Sequence, residues 1–198
     1  MRHMTKKMRG FSLIEVMVVI TIIAIMAGFA ALGMDFIRRE KVSSVTKDLV
    51  SDLQRLRIDA LTQGPDSGTG AVMPNLRGFG IRFDSTTSYV TFAFNDANTN
   101  FIYSGTGEEV KAKTKTVSSS IKVEVNNDAA YNIVIYDRMG IPTRYKPDGT
   151  PKTIATDADA LILKVQDVSG AAVKCIKVTM NSIRQGAWNA STSSCSEQ

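Results

Sequence analysis

Histidine and cysteine are scarce in this sequence, and their scarcity excludes most catalytic designs. The only histidine is His3, and the 198 residues include two cysteines. No Gly-x-Ser-x-Gly element occurs, and the single imidazole, at position 3 before a long apolar run, is too few for a histidine-rich metal site. We therefore expect a protein that is not an enzyme and that uses no cofactor and no metal.

Proline is absent between residues 11 and 63, so nothing in that stretch interrupts a helix. Residues 11–34 are almost wholly apolar and are about long enough to cross a ~30 Å hydrocarbon core. Residues 35–63 carry apolar side chains at three- and four-residue spacing, which indicates an amphipathic helix. The sequence thus predicts one helix, transmembrane in its first half, amphipathic in its second, and ended by Gly64 and Pro65.

Acidic residues are absent from the first ten positions, which contain four basic ones: Arg2, Lys6, Lys7 and Arg9. Positive charge before an apolar run keeps that end of the chain in the cytoplasm and predicts export of the residues after the run. The net charge is +5, but without these four residues 20 basic side chains oppose 19 acidic ones. The charge therefore gives little support to general binding of polyanions.

Residues 64–198 are predicted to form a β-rich domain. Short apolar runs alternate with clusters of Gly, Asn, Asp and Thr, a pattern that favours antiparallel strands with one buried face. The predicted strands are 78–83, 89–94, 121–125, 131–136, 160–165 and 174–180. We expect an α+β fold in which an antiparallel sheet or sandwich packs on the amphipathic half of the helix.

The segment RGFSLIEVMVV, residues 9–19, places one carboxylate inside the apolar run. A plain membrane anchor leaves Glu15 unexplained, because a carboxylate at membrane depth costs a few kcal/mol. A cleavable secretory signal has a shorter apolar run of about 7–15 residues. The segment closely resembles the class III signal of type IV prepilins and type II secretion pseudopilins, whose pilin-like fold combines a long N-terminal helix with an antiparallel sheet.

This resemblance implies a leader at residues 1–10, cleavage by a prepilin peptidase between Gly10 and Phe11, and methylation of the new amine of Phe11. It also implies that Glu15 pairs with that amine, in the same subunit or in a neighbour. The true start among Met1, Met4 and Met8 stays open.

The implied location is the bacterial inner membrane, crossed once, with the N-terminus cytoplasmic and the C-terminal domain periplasmic, before entry into a pilus or pseudopilus. The implied partners are the peptidase, other major and minor pilins or pseudopilins, an inner-membrane assembly platform and membrane lipid.

Two later segments resemble H-type (GspH) minor pseudopilins and FimT-like minor pilins: IVIYDRMGIPT, residues 133–143, and KCIKVTMNSIRQG, residues 174–186. The resemblance implies a structural minor subunit of a type II secretion pseudopilus or a type IV pilus. The second segment has Ser182, Ile183 and Arg184 where the family usually has Gly-Arg. Some FimT-like pilins bind DNA during uptake, and the candidate contacts for this alternative are Lys174, Lys177 and Arg184, with Trp188 for stacking.

Cys175 and Cys195 both come after the predicted membrane segment, and an oxidising exported compartment predicts a disulfide between them. Such a bond closes a loop of about 20 residues and contributes on the order of 3 kcal/mol.

Two polar segments are predicted to be turns. Residues 137–140 indicate an Asx-type turn between strands. Asp96, Asn98 and Asn100 have the opening spacing of a calcium loop, but its glycine and its final acid are missing, which favours a polar hairpin turn.

Overall fold

The computed structural model describes residues 12–63 and 75–197. It separates into two compact units, Met1–Arg38 and Arg39–Gln198. Helix α1, Leu13–Thr62, contributes residues to both units. The sequence predicted a helix over residues 11–63, and Phe11 lies outside the described residues, as do the stop residues Gly64 and Pro65.

Eleven strands come after α1 in the described part of the chain. They are β1 (Leu76–Ser85), β2 (Ser88–Asn95), β3 (Glu109–Thr116), β4 (Ile121–Val125), β5 (Ile133–Asp137), β6 (Pro142–Tyr145), β7 (Pro151–Thr153), β8 (Leu161–Asp167), β9 (Val173–Val178), β10 (Ile183–Asn189) and β11 (Ser194–Glu197). A short 3₁₀ turn, Thr106–Glu108, precedes β3.

The strands form two antiparallel sheets. Sheet A has the order β3-β2-β1-β5-β6-β7, and sheet B has the order β11-β10-β9-β8-β4. The expected α+β class with an N-terminal helix and antiparallel sheets is confirmed. Most neighbouring strands are successive in the chain and are joined by connections too short for a parallel crossover, whereas β1 pairs with β5 and β4 with β8 across longer stretches.

The main hydrophobic core contains side chains from α1 and from both sheets. The helix contributes one stripe at three- to seven-residue spacing: Val42, Leu49, Leu53, Leu56 and Ala60. Sheet A contributes residues such as Ile81 and Val134, and sheet B contributes residues such as Leu163 and Ile176. The expected packing of the amphipathic stripe against the β-rich part of the chain is therefore confirmed.

The face of sheet A that does not contribute to this core has a smaller apolar cluster. Phe92, Phe94, Ile133, Ile135 and Tyr145 lie on that face by their register in the sheet, and the side chain of Tyr103 packs over them. Tyr103 belongs to the β2–β3 connection, so this loop covers part of the sheet. A surface cavity opens beside the smaller cluster, where the loop leaves the sheet uncovered.

Six of the strands were predicted from the sequence, namely β1, β2, β4, β5, β8 and β9. The other five were not assigned residue ranges, although the turn predicted between strands at residues 137–140 implied a strand where β6 lies, and their sequences explain why. β3 lies exposed at the edge of sheet A and has no buried face. Its sequence, EVKAKTKT, therefore lacks the apolar alternation from which a strand is predicted. β6 and β7 are four and three residues long and begin with proline, and β10 and β11 consist mainly of small and polar residues.

Candidate functional site

The start of α1 places a single carboxylate among apolar side chains. The carbonyl oxygen of Ser12 accepts the amide N–H groups of Glu15, at 3.0 Å, and of Val16, at 3.2 Å. Glu15 therefore lies in the first helical turn, where a negative charge interacts favourably with the helix dipole. Gly10 and Phe11, the predicted cleavage and methylation residues, lie outside the described residues.

The side chains around Glu15 are apolar and exposed. Every large apolar side chain between Leu13 and Met26 is exposed, from 46% for Val16 to 78% for Leu13. The one hydroxyl further along this stretch, that of Thr21, donates to the carbonyl of Val18 at 2.8 Å. Such a bond satisfies the hydroxyl within its own helix. Glu15 is the one ionisable side chain of residues 12–28.

Among the residues that the structure describes, no helix is both long enough and apolar enough to cross a membrane. The predicted transmembrane segment includes Phe11 and the side chains of residues 29–34, which lie outside that description. It stays a prediction.

The Asx-type turn predicted at residues 137–140 is confirmed. Oδ1 of Asp137 accepts the amide N–H of Met139 at 2.9 Å and that of Ile141 at 2.8 Å. Gly140 adopts a φ of 71°, a conformation that favours glycine, and a Cβ at this position would lie 3.2 Å from the side chain of Leu61. The turn therefore joins β5 to β6 close to the last turns of α1.

The predicted disulfide between Cys175 and Cys195 is present. It connects β9 to β11, and β10 lies between these two strands in sheet B. Gly186 of β10 pairs with Cys175, and a Cβ at Gly186 would clash with the backbone carbonyl of Ser196 and lie 3.2 Å from the sulfur of Cys195. The absence of a side chain at Gly186 lets the bond pass, and the bond holds the C-terminal strand.

The three basic residues predicted as DNA contacts do not share one face of sheet B. Lys174 alternates with the buried Ile176 and Val178 on the core side, and its ammonium donates to the hydroxyl of Ser43 on α1 at 3.1 Å. Lys177 and Arg184 are directly opposite each other on neighbouring strands, and their side chains lie on the other face of the sheet. There Lys177 forms an ion pair with Asp157 at 3.1 Å. Binding of DNA stays a prediction that this arrangement does not favour.

Trp188 has a cationic neighbour that the sequence did not indicate. The ammonium of Lys164 lies 5.5 Å from the centre of the indole ring. Register in sheet B puts both residues on the same face as Lys177 and Arg184. Because the indole already interacts with a lysine of its own chain, stacking on a base would have to displace that contact.

The segment with calcium-loop spacing is organised by Asp96 through hydrogen bonds. The Asp96 side chain is fully buried and accepts the amide N–H groups of Asn100, at 3.1 Å, and Phe101, at 3.0 Å. It also forms an ion pair with Arg77 at 3.3 Å. Over the described ranges 12–63 and 75–197, no group of three or more acidic, histidine or cysteine side chains could hold a metal ion.

Sequence reasoning missed a row of lysines on β3 and a buried arginine on β6. Lys111, Lys113 and Lys115 lie along the exposed edge of sheet A, and Lys115 forms an ion pair with Asp52 of α1 at 2.6 Å. Charged edge strands protect a sheet against unwanted pairing, so the row is explained structurally. The guanidinium of Arg144 is buried and donates to three carbonyls of the β4–β5 loop, and burial lowers its pKa.

In a comparison with known families, the prokaryotic N-terminal methylation motif matches residues 5–31. No curated protein and no solved structure matches the chain significantly. The matched residues include Gly10, Phe11 and Glu15. The motif implies processing by a prepilin peptidase and assembly with other pilins, and its proteins are structural rather than enzymatic. This match supports the interpretation of the chain as a type IV prepilin-like protein.

Proposed function

We propose that the chain is a minor subunit, of the H-type and FimT-like kind, in a type II secretion pseudopilus or a type IV pilus. The observation that carries this proposal is the methylation motif at residues 5–31, which precedes an antiparallel β-rich domain. The Asx turn at Asp137 belongs to a segment that resembles this subfamily. In the proposed role the protein contributes a building block to a filament and catalyses no reaction.

Cleavage between Gly10 and Phe11 creates the charge that Glu15 needs. Before cleavage, no basic side chain occurs among residues 12–28, so the carboxylate has no cation along its own apolar segment. After cleavage, Phe11 carries a free amine four positions before Glu15, a spacing of about one turn in a helix. An amine and a carboxylate that enter an apolar environment together are far less costly than either charge alone.

The exposed apolar side chains of residues 13–28 require an apolar environment as well. At about 25 cal/mol for each Å² removed from water, covering them supplies a strong driving force. Lipid supplies this cover while the protein waits in the inner membrane, and neighbouring helices supply it in the filament. In the proposed topology the chain crosses the inner membrane once, with its leader cytoplasmic and its β-rich domain periplasmic.

Replacement of Glu15 tests this function. We expect Glu15→Val to leave membrane insertion intact and to reduce incorporation into filaments at least about tenfold, because it leaves the Phe11 amine without a carboxylate. The measurement compares the chain in sheared filament fractions with the chain in membranes. Thr21→Val is the matched control, since it removes a polar group from the same segment without removing a charge. Equal incorporation of the Glu15→Val variant and the unaltered chain would refute the charge pair.

A further inference from the structure

A surface cavity of about 230 Å³ lies on the face of sheet A that does not contribute to the main core. Its floor is apolar and consists of three buried side chains, Phe94, Ile135 and Tyr145. All three belong to the smaller apolar cluster of that face. The cavity is smaller than the roughly 300–1,000 Å³ of sites for drug-sized ligands, so its size suits a single side chain.

Two large apolar side chains at the rim are exposed. Phe101 is 67% exposed and Met139 is 70% exposed, and both line the cavity. Phe101 comes from the β2–β3 connection and Met139 from the turn between β5 and β6. An apolar floor with an exposed apolar rim is the arrangement found where a protein receives a partner's side chain.

The backbone at Phe101 is held in an unfavourable conformation. Its φ is 65°, in the left-handed region that residues other than glycine rarely adopt, and the φ of Thr99 is 59°. The buried carboxylate of Asp96 stabilises this conformation, because it accepts the amide N–H of Phe101. The strained backbone is thus held by buried Asp96 and leaves the Phe101 ring exposed. Backbone strain of this kind is typical of functional surfaces.

The charge of the lining favours an anionic partner. Two guanidinium groups, of Arg77 and Arg138, and one carboxylate, of Asp137, line the cavity. Oδ1 of that carboxylate is engaged by two amide N–H groups of its own turn. Arg138 donates through Nε and Nη2 to the carbonyl of Leu76, at 3.2 and 2.5 Å. The guanidinium of Arg77 lies 4.1 Å from the centre of the Phe101 ring and forms an ion pair with Asp96 at 3.3 Å. The Arg77 side chain is 31% exposed and that of Asp96 is fully buried, so the charge that reaches the surface of the cavity is mainly that of the guanidinium groups.

From this geometry we propose that the cavity is a docking site for an acidic segment of another protein. One apolar side chain of that segment enters between Phe101 and Met139 and rests on the floor. Carboxylates on either side of it face Arg77 and Arg138. The proposal depends only on residues of the second compact unit, Arg39–Gln198, which we call the β-rich unit. It is therefore independent of the N-terminal motif and of the filament role.

The test uses the full-length chain in dodecyl maltoside micelles, with labelled methionine and isoleucine methyl groups observed by NMR. The probes are acetyl-Glu-Phe-Glu-amide, acetyl-Lys-Phe-Lys-amide and acetyl-Glu-Ala-Glu-amide. We expect the first peptide to shift the Met139 and Ile135 signals saturably, with a dissociation constant of about 1 mM. Ile81, on the opposite face of sheet A, is the reporter that stays unshifted.

The two other peptides separate apolar contact from charge. Without the phenyl ring, Glu-Ala-Glu is expected to produce no saturable shift, and Lys-Phe-Lys is expected to bind at least about threefold more weakly than Glu-Phe-Glu. Arg138→Gln should lower the affinity for Glu-Phe-Glu about threefold, since it keeps a hydrogen-bond donor but removes the charge. Arg184→Gln, on sheet B, removes the same charge elsewhere and should leave the affinity unchanged.

A salt titration of the unaltered protein provides a test that does not depend on a variant folding, because added salt should weaken the binding of Glu-Phe-Glu. Equal binding of the Glu-Phe-Glu and Lys-Phe-Lys peptides would overturn the proposal. So would Glu-Phe-Glu binding that leaves the Ile135 and Met139 signals in place. Broadening of the Met139 signal with protein concentration, in the absence of peptide, would also overturn it, since the occupant would then be a second copy of this chain.

Discussion

The first and last parts of α1 use the same apolar residue types and differ in what covers them. Leu13 is 78% exposed, whereas Leu49 and Leu53 are 1% and 0% exposed. The later residues form a stripe that one β-rich domain can cover, because polar residues occupy the other faces. The earlier residues are apolar on every face, so no single surface of the same chain can cover them. In the proposed role, the cover comes from lipid or from neighbouring helices.

The polar groups of the two regions differ in the same way. In the β-rich unit, buried charges such as Asp96 and Glu109 have partners in their own chain. Near the start of α1, Glu15 has its proposed partner only after the chain has been cut. In the proposed role, the β-rich unit pairs such buried charges internally, while the N-terminal segment finds its partners outside the chain.

A matched pair of leucine substitutions gives the largest expected effect on stability. Leu53→Ala should lower the free energy of unfolding of the β-rich unit by about 4 kcal/mol, because it leaves a cavity in the shared core. Leu13→Ala removes the same atoms from an exposed position and should change that free energy by less than about 0.5 kcal/mol. Chemical denaturation in detergent, monitored by circular dichroism, measures both. Similar losses for the two variants would remove the distinction between the regions.

Removal of the disulfide should have a slightly smaller effect, also confined to the β-rich unit. The double variant Cys175→Ala, Cys195→Ala is expected to lose about 3 kcal/mol, because its unfolded state is no longer restricted by a loop of 20 residues. Reduction of the unaltered protein should give the same loss, and membrane insertion should be unaffected. An unchanged denaturation midpoint in the double variant would contradict this assignment.

Tyrosine ionisation gives the smallest of these effects and makes stability depend on pH. Burial raises the pKa of Tyr136 above its ordinary value near 10, and its buried hydroxyl has no hydrogen-bond partner among residues 12–63 and 75–197. The unfolded chain therefore loses this proton first as the pH rises, so the contribution to stability is present below pH 10 and declines above it.

Tyr136→Phe isolates that contribution. At pH 7 the variant should be at least as stable as the unaltered protein, since it loses no hydrogen bond. Above pH 10 the unaltered protein should lose about 1.4 kcal/mol more for each pH unit than the variant. Denaturation midpoints between pH 7 and pH 11 measure the difference. Parallel curves would show that this hydroxyl titrates normally in the folded state.

The sequence was informative wherever one local pattern determined the outcome. The stripe from Val42 to Ala60, the Asx turn at Asp137 and the six strands with a buried face were predictable, because helical spacing, turn chemistry and alternation act over a few residues. The N-terminal motif was readable for a related reason, since Glu15 conflicts with its apolar neighbours. The disulfide required only two cysteines and an exported compartment.

The rest depends on contacts between residues far apart in the chain. β3 is a strand because it pairs with β2, and its lysines gave no apolar signal. The role of Asp96, which follows β2, was not predictable, since its partners include Arg77 on β1. Lys174 and Lys177 looked equivalent in sequence, yet they are three positions apart, an odd spacing, so alternation along β9 puts their side chains on opposite faces. The cavity beside Phe101 combines β1, β2, β5, β6 and two turns.

Mass spectrometry of the N-terminal peptide tests the central claim most directly. The chain is purified from cells with an active prepilin peptidase, beside a Gly10→Leu variant that should resist cleavage. We predict an N-terminus at Phe11 that carries one added methyl group in the unaltered chain, and an intact leader in the variant. An unaltered chain that retains residues 1–10 and has an unmodified N-terminus would contradict the assignment as a prepilin-like subunit.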